Sequence, residues 1–489
     1  HTRKRNHKTP PLLPIFGANL IIQDSKILIL YQRRMDYSTI VKKQNDFFNR
    51  NETKSIPFRV AQLKRLKAVL QQEEANLYRA IYADFKKSEA DTYATELSFI
   101  YDELDLAIKK LSSWAKQKRV KSNPLTLPSR SYIIPEPLGT CLIIGAWNYP
   151  YNVSLVPLIS AMAAGNTVIL KPSEIPLATS AAMAKLINDH FPPEYLFVFE
   201  GGVAETTALL EQKFDKIFFT GSSAVGKIVY QAAAKNLTPV TLEMGGKSPA
   251  IVTRDTNLKK AAKRIVFGKF LNSGQTCIAP DYVLVDAAVQ EKFLGFIKAY
   301  IHQFQYAFAN GNYVQIINEE NFHRLTGLMA KQKIYVGGES DLSSRYIAPT
   351  ILTDVSFDDP VMEHEIFGPI LPVLSYTHMD EAIAGIKSLP KPLALYLFTH
   401  DQVIREKVFR EISFGGGAVN HTLWHFANAS LPFGGVGQSG MGSYHGRNGF
   451  VTFSHFKSIL EKPFWLEPDL VYPPNTPKKM AWIRWLSRL

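Results

Sequence analysis

Cys277 lies in a segment, residues 272–277, whose composition suits a nucleophile, and it is one of only two cysteines in the chain. A thiol attacks a carbonyl carbon as its thiolate, which requires a nearby base or field and an open approach to the sulfur. Gly274 allows a bend, Thr276 adds a hydroxyl, and the residues before the thiol are small or polar. The segment alone fits a nucleophile and a buried structural thiol equally well.

Glu243 is a second candidate for chemistry, because it follows the apolar run 240–242 and precedes Gly245 and Gly246. A carboxyl group at the buried end of a strand can have a raised pKa and act as a general base for the thiol or for water. A solvated or ion-paired glutamate is the alternative interpretation of the same residue.

Polar residues also follow two other apolar runs. Asn148 comes shortly after the first run, where its side-chain amide could donate to a developing oxyanion. Lys171 and Glu174 follow the next run, where they suit the hydroxyls of a ribose or a phosphate beside it.

Two further segments could hold a cofactor. Gly221, Ser222 and Gly226 open a predicted helix whose backbone N–H groups would face a pyrophosphate, although a simple helix cap explains the serine equally well. Glu365 and Phe367 place an acid beside an aromatic ring, a pair that could hold a ribose and brace a flat ring.

The elements that must position these residues alternate between short apolar runs and helical stretches from about residue 139. This pattern is typical of a parallel sheet covered on both faces, in which ligands bind at the carboxyl ends of the strands. A second alternating set begins near Pro249 and contains Cys277, so the nucleophile is predicted to lie in a second domain that faces the first. Cys141 lies inside the first apolar run and is predicted to be buried.

Two amphipathic helices are predicted before the first sheet, beginning near Pro57 and Tyr93. Their apolar residues recur at spacings of three and four, and we expect these two stripes to pack in the core without a chemical role. The stripes are Val60, Leu63, Leu66, Leu70, Leu77 and Ile81, and Tyr93, Leu97, Ile100, Leu104, Ile108, Leu111 and Trp114.

Length, charge and cysteine content narrow the class of protein. A chain of 489 residues predicts two or three domains with sizeable cores. Two cysteines cannot build a disulfide framework, which favours a reducing, cytoplasmic location. Of the net charge of +13, residues 1–34 carry +6 and residues 462–489 carry +3, so the body is only mildly basic. Binding of nucleic acid through the body is therefore not expected.

The two ends of the chain are predicted to lie outside the folded body. Residues 1–34 are interpreted as a mobile extension, with Met35 as a hypothetical natural start. Residues 461–489 form a basic tail rich in tryptophan, a composition typical of helices that lie in a membrane interface but too short to span a bilayer. Peripheral membrane contact through this tail and a helix packed on the protein are both compatible with the pattern.

Taken together, these motifs resemble the aldehyde dehydrogenase family, and most closely its class 3 branch, which includes fatty aldehyde dehydrogenases. The resemblance runs from about Ile56 to Leu460 in the order and spacing of the motifs, and residues 273–280 and 431–446 are especially similar to that branch. Several ordered motifs over some 400 residues make the resemblance specific.

The resemblance implies a role for each candidate. Cys277 would attack the aldehyde, Asn148 and the Cys277 N–H would stabilise the oxyanion, and Glu243 would activate the water that hydrolyses the thioester. NAD or NADP would be the cofactor, and no metal is implied. The residues that would contact the cofactor are Lys171 and Glu174 at the adenosine ribose, Gly221, Ser222 and Gly226 at the pyrophosphate, and Glu365 and Phe367 at the nicotinamide half.

The resemblance also implies an α/β fold with a Rossmann-like cofactor domain, an α/β catalytic domain and a β arm that pairs subunits in a homodimer. The predicted boundaries are 35–118 with 138–245 for the cofactor domain, 246–442 for the catalytic domain, and 119–137 with 443–460 for the arm. We expect oxidation of a medium- or long-chain, or otherwise apolar, aldehyde to its acid. The alternatives are transfer of the acyl group to coenzyme A and a catalytically idle binding or structural protein on the same fold.

Overall fold

The computed structural model describes residues 37–330, 332–466 and 469–487. The predicted extension 1–34 lies outside the described residues. The helices, labelled α1 to α16 in chain order, are Tyr37–Asn49, Ile56–Phe85, Glu89–Thr92, Ser98–Trp114, Asn152–Ala164, Leu177–Asn188, Val203–Leu210, Ser223–Ala234, Leu258–Phe270, Gln290–Phe304, Glu319–Met329, Pro360–Glu363, Met379–Ser388, Gln402–Glu411, Gly446–Thr452 and Pro477–Leu486.

The strands assemble into three main sheets and one short pair. In chain order, β1 to β18 are Lys118–Val120, Arg130–Pro137, Thr140–Ile144, Thr167–Lys171, Leu196–Val198, Lys216–Gly221, Val240–Met244, Pro249–Val252, Tyr282–Asp286, Lys333–Val336, Ser340–Asp341, Tyr346–Ile347, Thr350–Thr353, Ile370–Tyr376, Ala394–Phe398, Gly416–Val419, Gly440–Met441 and Ser454–Glu461.

The first sheet has the strand order β17-β7-β6-β3-β4-β5 and is parallel except for β17. Strands β3 and β4 are buried along their whole length, as expected of apolar runs with helices on both faces. The chain proceeds outward from β3 to β5 and then crosses back to β6 on the other side of β3. This reversal leaves a crevice beyond the carboxyl ends of β3 and β6, where ligands bind in sheets of this kind.

The second sheet has the order β10-β13-β14-β9-β8-β15-β16, and only its edge strand β10 is antiparallel. The second alternating set that begins near Pro249 includes apolar runs at 282–285, 394–398 and 417–420, and these runs form β9, β15 and β16. Helix α9 follows β8 and leads directly to the Cys277 segment. The candidate nucleophile therefore lies in the loop between α9 and β9 of this sheet, and its assignment to a separate catalytic domain stays a prediction.

The third sheet is antiparallel, with β2 between β1 and β18. β2 and β18 pair over their full length, from Arg130↔Glu461 to Pro137↔Ser454. β2 lies within the first segment predicted to form the arm, whereas β1 begins one residue before that segment and β18 ends one residue after the second. The exact domain boundaries and the pairing role of the arm stay predictions.

The two predicted helical stripes pack in the core with one exception. Residues such as Leu63, Leu77 and Leu104 are fully or almost fully buried, but Tyr93 is 47% exposed. A π-helical turn at Tyr93–Leu97 precedes α4, and the extra residue in such a turn rotates the side chains before it out of phase with the α-helix that follows. The prediction for Tyr93 was therefore wrong, because it assumed one continuous α-helical period.

Candidate active site

The Cys277 segment begins with three consecutive residues in left-handed conformation. Asn272 has φ 54°, Ser273 has φ 53° and Gly274 has φ 73°. Non-glycine residues adopt this conformation at a cost that the surroundings must offset. At Gly274 a side chain is also excluded by space, because a Cβ would lie 2.2 Å from the carbonyl oxygen of Gly368.

Hydrogen bonds to the neighbouring segment 314–317 hold this strained loop. The Ser273 hydroxyl donates to the Val314 carbonyl at 2.6 Å. The Gln275 side chain donates to the Gln315 carbonyl and accepts from the Ile317 N–H, each at 3.0 Å. Because all of these groups are buried, the loop has few alternatives, and the position of the thiol that follows is fixed.

Asn148 connects the first sheet to this loop. It follows β3, is only 4% exposed, and its side-chain amide donates to the Gln275 carbonyl at 3.2 Å. In return, the Asn272 side-chain amide donates to the Asn148 carbonyl at 3.0 Å. These two bonds hold the turn that carries Asn148 against the loop that carries the Cys277 N–H. The two candidate oxyanion donors are therefore held together, although one follows a strand of the first sheet and the other precedes a strand of the second.

A buried ion pair, which the sequence analysis missed, supports the Asn148 turn. Lys87 donates to Glu96 at 2.9 Å, with both side chains almost fully buried. The other Glu96 oxygen accepts from the Tyr151 N–H at 2.8 Å, where α5 begins. The Lys87 ammonium lies 4.4 Å from the ring centre of Tyr149, whose hydroxyl is 2.7 Å from that of Thr276. The only signal in the sequence is that Glu96 interrupts an apolar stripe beside Leu97.

Glu243 lies near the carboxyl end of β7 and is 2% exposed. Its Oε1 atom has no hydrogen-bond partner among the described residues. Burial raises the pKa of this carboxyl group well above its ordinary value. Such a group readily binds a proton, as a general base in a water-poor site must.

The Cys277 thiol lies partly exposed at the wall of the cavity. Burial raises its pKa well above the ordinary value, and the negative charges of Glu243 and Glu365 raise the pKa further. Hydrogen bonds from the backbone N–H groups of Cys277 and Ile278 act in the opposite direction. The thiol is therefore protonated at rest, and its attack on a carbonyl requires that it lose the proton.

The predicted ribose residues lie at the end of β4. Lys171 is 1% exposed; its ammonium donates to the Pro172 carbonyl at 2.7 Å and lies 3.6 Å from a Glu174 oxygen. Burial lowers the pKa of Lys171, and the Glu174 charge opposes that effect. An ammonium and a carboxylate so arranged can bind adjacent hydroxyl groups.

The predicted pyrophosphate residues form the turn from β6 into α8. The Ser222 hydroxyl caps the helix by accepting from the Val225 N–H at 3.3 Å, and Gly221 lines the cavity. Gly226 lies behind them instead, where a Cβ would approach the Met244 sulfur to 2.5 Å. Gly226 therefore serves close packing of the helix on β7, and only Gly221 and Ser222 face the cavity.

Glu365 and Phe367 follow α12 on the second sheet. The Glu365 carboxyl group lies so close to Gly245 that a Cβ there would be 1.8 Å from Oε2. Burial, with the charge of Asp281, raises the pKa of Glu365 to about 8, although the Gly246 N–H donates to it. The Phe367 ring stands edge to face with Trp147 at 5.2 Å, and its φ of 50° is left-handed.

One cavity of about 1080 Å³ joins these groups. Nine of the ten predicted site residues line it, and Gly226 is the exception. The wall of the cavity is mainly apolar; its apolar residues include Ala94, Phe99, Phe267, Leu271, Leu423, Trp424, Phe426, Ala427 and Phe433. The cavity therefore combines a thiol, a buried carboxyl group and an amide donor with many apolar side chains.

Two other features are absent from the described residues. No group of three or more histidine, cysteine, aspartate and glutamate side chains there is placed to hold a metal ion. None of the helices in the same residues is both long and apolar enough to cross a bilayer.

Comparison with known proteins identifies the family of this chain. The sequence model of the aldehyde dehydrogenase family matches residues 28–459. The chain is 48% identical to the 4,4'-diaponeurosporen-aldehyde dehydrogenase of Staphylococcus aureus (strain NCTC 8325 / PS 47), over 88% of this chain and 94% of that one. It is 45% identical to the dimeric NADP-preferring aldehyde dehydrogenase of Rattus norvegicus, over 91% and 98% of the two chains. A solved structure, the substrate-bound state of Staphylococcus aureus AldH, matches with a TM-score of 0.90 at 46% identity, over 92% and 99%.

The chain belongs to the aldehyde dehydrogenase family, so the resemblance and the fold predicted from the motifs are confirmed. It is an NAD(P)-dependent enzyme that oxidises an aldehyde. The residues that line the cavity fit NAD or NADP. Lys171 and Glu174 offer an ammonium and a carboxylate, and the start of α8 offers backbone N–H groups. At Gly245 only a glycine fits, because any side chain there would collide with the Glu365 carboxyl group.

Proposed function

We propose that Cys277, Glu243 and Asn148 carry out the oxidation of an apolar aldehyde to its carboxylic acid. The observation that carries the proposal is that these three side chains, contributed by two different sheets, line one cavity. The Cys277 thiol releases its proton to solvent, and the resulting thiolate attacks the aldehyde carbon and forms a carbon–sulfur bond. The carbonyl oxygen becomes an oxyanion, which accepts hydrogen bonds from the Asn148 amide and the Cys277 N–H.

Asn148 can serve the oxyanion without releasing the loop, because a side-chain amide has two N–H donors and one of them holds Gln275. A bound nicotinamide would supply a hydride acceptor at this point. Loss of hydride from the carbon attached to Cys277 would re-form the carbonyl group and leave a thioester.

Glu243 completes the reaction by removing a proton from the water that attacks the thioester carbon. The carbon–sulfur bond breaks, the acid leaves, and the Cys277 thiolate is restored. The raised pKa of Glu243 supports this role, since a carboxylate at an ordinary pKa is a weak base at neutral pH. Transfer to coenzyme A would not need this base, and an idle protein would need none of the three groups.

An apolar substrate of medium or long chain is supported by the many apolar side chains in the wall of the cavity that Cys277 lines. The similarity to an enzyme named for a diaponeurosporen-aldehyde, at 48% identity, points in the same direction. We would measure NADH and NADPH formation for aldehydes from propanal to hexadecanal. The proposal predicts that kcat/KM rises with chain length, since each buried methylene adds about 0.8 kcal/mol. A flat or falling series would contradict it, and Cys277→Ala provides the blank.

A homodimer paired through the arm is the proposed assembly. The arm sheet exposes the edges of β1 and β18, and β16 is an edge of the second sheet, so both offer unpaired backbone groups. A relative at 45% identity is named as dimeric. Light scattering after size exclusion should give a mass near twice the chain mass of 55.0 kDa. A mass equal to one chain at micromolar concentration would contradict the assembly.

Peripheral membrane contact through the C-terminal tail is proposed as a separate property. Helix α16 carries Trp482 and Trp485, which are 52% and 55% exposed, beside Lys478 and Lys479. Exposed indole rings beside cations suit the headgroup region of an anionic bilayer. The full chain should pellet with anionic vesicles and a chain ending at Pro477 should not. Equal pelleting of the two chains would contradict the role of the tail.

A further inference from the structure

Four carboxyl groups line the cavity among the described residues, and three of them already have a role. Glu243 is the proposed base, and Glu174 and Glu365 lie with the groups proposed to hold the cofactor. The fourth, Asp91, belongs to the short helix α3 and takes no part in the mechanism proposed above. A carboxyl group in a mainly apolar wall is costly unless something pairs with it.

One face of the helical segment that begins at α3 forms the wall at this place. Asp91, Ala94, Thr95 and Phe99 all line the cavity, at the spacing of residues that share one side of a helix. The Thr95 hydroxyl is occupied, since it donates to the Asp91 carbonyl at 2.6 Å. Phe99 stands edge to face with Phe426, another residue of the wall, at 5.3 Å. The carboxyl group of Asp91 is therefore the polar group that this face offers to a bound molecule.

The backbone of Asp91 is fixed, whereas its carboxyl group has no partner. The Ser88 hydroxyl accepts from the Asp91 N–H at 3.1 Å and donates to the Gly311 carbonyl at 2.7 Å, which ties α3 to a distant loop. Within the described residues the Asp91 carboxyl group forms no hydrogen bond and no ion pair. Burial raises its pKa, and the charge of Lys87 acts in the opposite direction. The partly buried carboxyl group is thus a ready acceptor for a group that enters the cavity.

Tyr149 connects Asp91 to the reactive part of the cavity. Burial raises the pKa of Tyr149, its hydrogen bond with Thr276 lowers it, and the negative charges of Asp91 and of the Cys277 thiolate raise it. The Tyr149 hydroxyl is 2.7 Å from that of Thr276, the residue before Cys277. Asp91 and the thiol therefore flank the same tyrosine on the same cavity, so an aldehyde held at Cys277 can bring a group on its chain to Asp91.

We propose that Asp91 binds a hydroxyl group on the chain of the aldehyde and makes hydroxylated aliphatic aldehydes the preferred substrates. The inference deepens the proposed function and rests on it. A hydroxyl group both donates and accepts, so it can pair with Asp91 whether that group is ionised or protonated. An ammonium group on the substrate is a poorer match, because the positive charge of Lys87 acts at the same place. The rest of the chain contacts the apolar side chains of the wall.

The test compares octanal with octanals that carry one hydroxyl group at carbon 2, 3, 6, 7 or 8. Hydroxyl groups at carbons 4 and 5 are left out because they close onto the aldehyde as cyclic hemiacetals. In the wild type, kcat/KM for the best hydroxyoctanal should exceed that for octanal by at least about tenfold, as expected for a hydrogen bond to a charged group. Asp91→Asn should lower this ratio severalfold, and Asp91→Ala should bring it close to one. The kcat/KM for octanal itself should not fall in either variant, which a general loss of structure would not allow.

Glu89→Gln is the matched control, because it removes an exposed charge from the same short helix at a residue that does not line the cavity. Its ratio should equal that of the wild type. Calorimetric titration of Cys277→Ala with the same aldehydes measures binding without turnover, and the dissociation constants should show the same preference.

A wild-type ratio close to one would overturn the proposed preference. The same ratio in the wild type, Asp91→Asn and Asp91→Ala would overturn the role of Asp91. Oxidation of none of these aldehydes by the wild type would contradict the proposed function alone, since the binding preference of Cys277→Ala, with and without Asp91→Asn, would still decide the role of Asp91.

Discussion

The side-chain amide of Asn148 donates to the main-chain carbonyl of Gln275, two residues before Cys277, at 3.2 Å. This bond crosses from the first sheet to the second, and the return bond from Asn272 to the Asn148 carbonyl closes a small ring of contacts. The site therefore depends on the packing of the two sheets against each other. Either sheet alone would present only half of the oxyanion donors.

Asn148→Ala tests this junction. Loss of one oxyanion donor typically lowers kcat by about 10²–10³-fold. Asn148 is proposed to act on the transition state, so KM should change far less than kcat. Steady-state kinetics would measure both constants, with the exposed Asn76→Ala as a control that should match the wild type. A fall in kcat of less than threefold would remove Asn148 from the mechanism.

Glu243→Gln should separate the two halves of the reaction. Without the base, the thioester forms but hydrolyses slowly, so a burst of roughly one NADH per subunit should precede a much slower steady state. Rapid mixing with absorbance at the nicotinamide band would resolve the two phases. Loss of both the burst and the steady-state NADH formation in Glu243→Gln would place Glu243 in an earlier step.

The pH dependence of the wild type is a second test of Glu243. Its kcat should rise with pH through a pKa above the ordinary range of glutamate, because the base must be ionised and burial raises its pKa.

Glu96→Ala should destabilise the protein by about 3–5 kcal/mol, because it leaves the Lys87 ammonium buried without its partner. It also removes the acceptor of the Tyr151 N–H at the start of α5. Chemical denaturation would measure the change in free energy of unfolding. The comparison is Glu52→Ala, which breaks an exposed pair with Arg50 and should cost less than about 1 kcal/mol. If Glu96→Ala and Glu52→Ala lowered the free energy of unfolding by similar amounts, burial of the Lys87–Glu96 pair would not explain its contribution to stability.

Glu365→Gln should change how stability depends on pH. The folded-state pKa of Glu365 is about 8, above the ordinary value for an unfolded chain. Between these two values the native state binds more protons, so this group makes the protein less stable as pH rises through about 8. Without cofactor, the variant should melt about 2 °C or more above the wild type at pH 9 and near it at pH 5. The control is Glu363→Gln, at an exposed residue, whose melting temperature should differ from that of the wild type by the same amount at both pH values. If the melting temperature of Glu365→Gln also differed from that of the wild type by the same amount at both pH values, the proposed titration would be contradicted.

Much of this fold was predictable because a strand that is buried on both faces appears in the sequence as a continuous run of apolar residues. The apolar runs that became β3, β4, β9 and β15 contain almost no polar side chains, and the polar residues after β3 and β4 line the cavity. The rule that ligands bind at the carboxyl ends of parallel strands accounts for Asn148 and Glu243. Cys277 instead precedes β9, and its meeting with them depends on how the two sheets pack.

What sequence reasoning missed depends on contacts between distant parts of the chain. The left-handed Asn272 and Ser273 are held by segment 314–317, some 40 residues away, and no local pattern indicates them. Lys87 pairs with Glu96, only nine residues further along the chain. The burial of this ion pair, however, depends on the distant turn at Tyr151, whose N–H donates to Glu96. The sequence also did not indicate that Gly226 packs against Met244, because a glycine required for packing and one required by a ligand look identical in sequence. Contact of Gly226 with the cofactor stays a prediction.

The central claim, that Cys277 carries the acyl group, can be tested by trapping it. Glu243→Gln would be mixed with decanal and NAD, quenched in acid, digested and analysed by mass spectrometry. The account predicts a decanoyl group on the peptide that contains Cys277, and none on the fully buried Cys141. An acyl group on any other residue, or NADH formation without an adduct on Cys277, would contradict it.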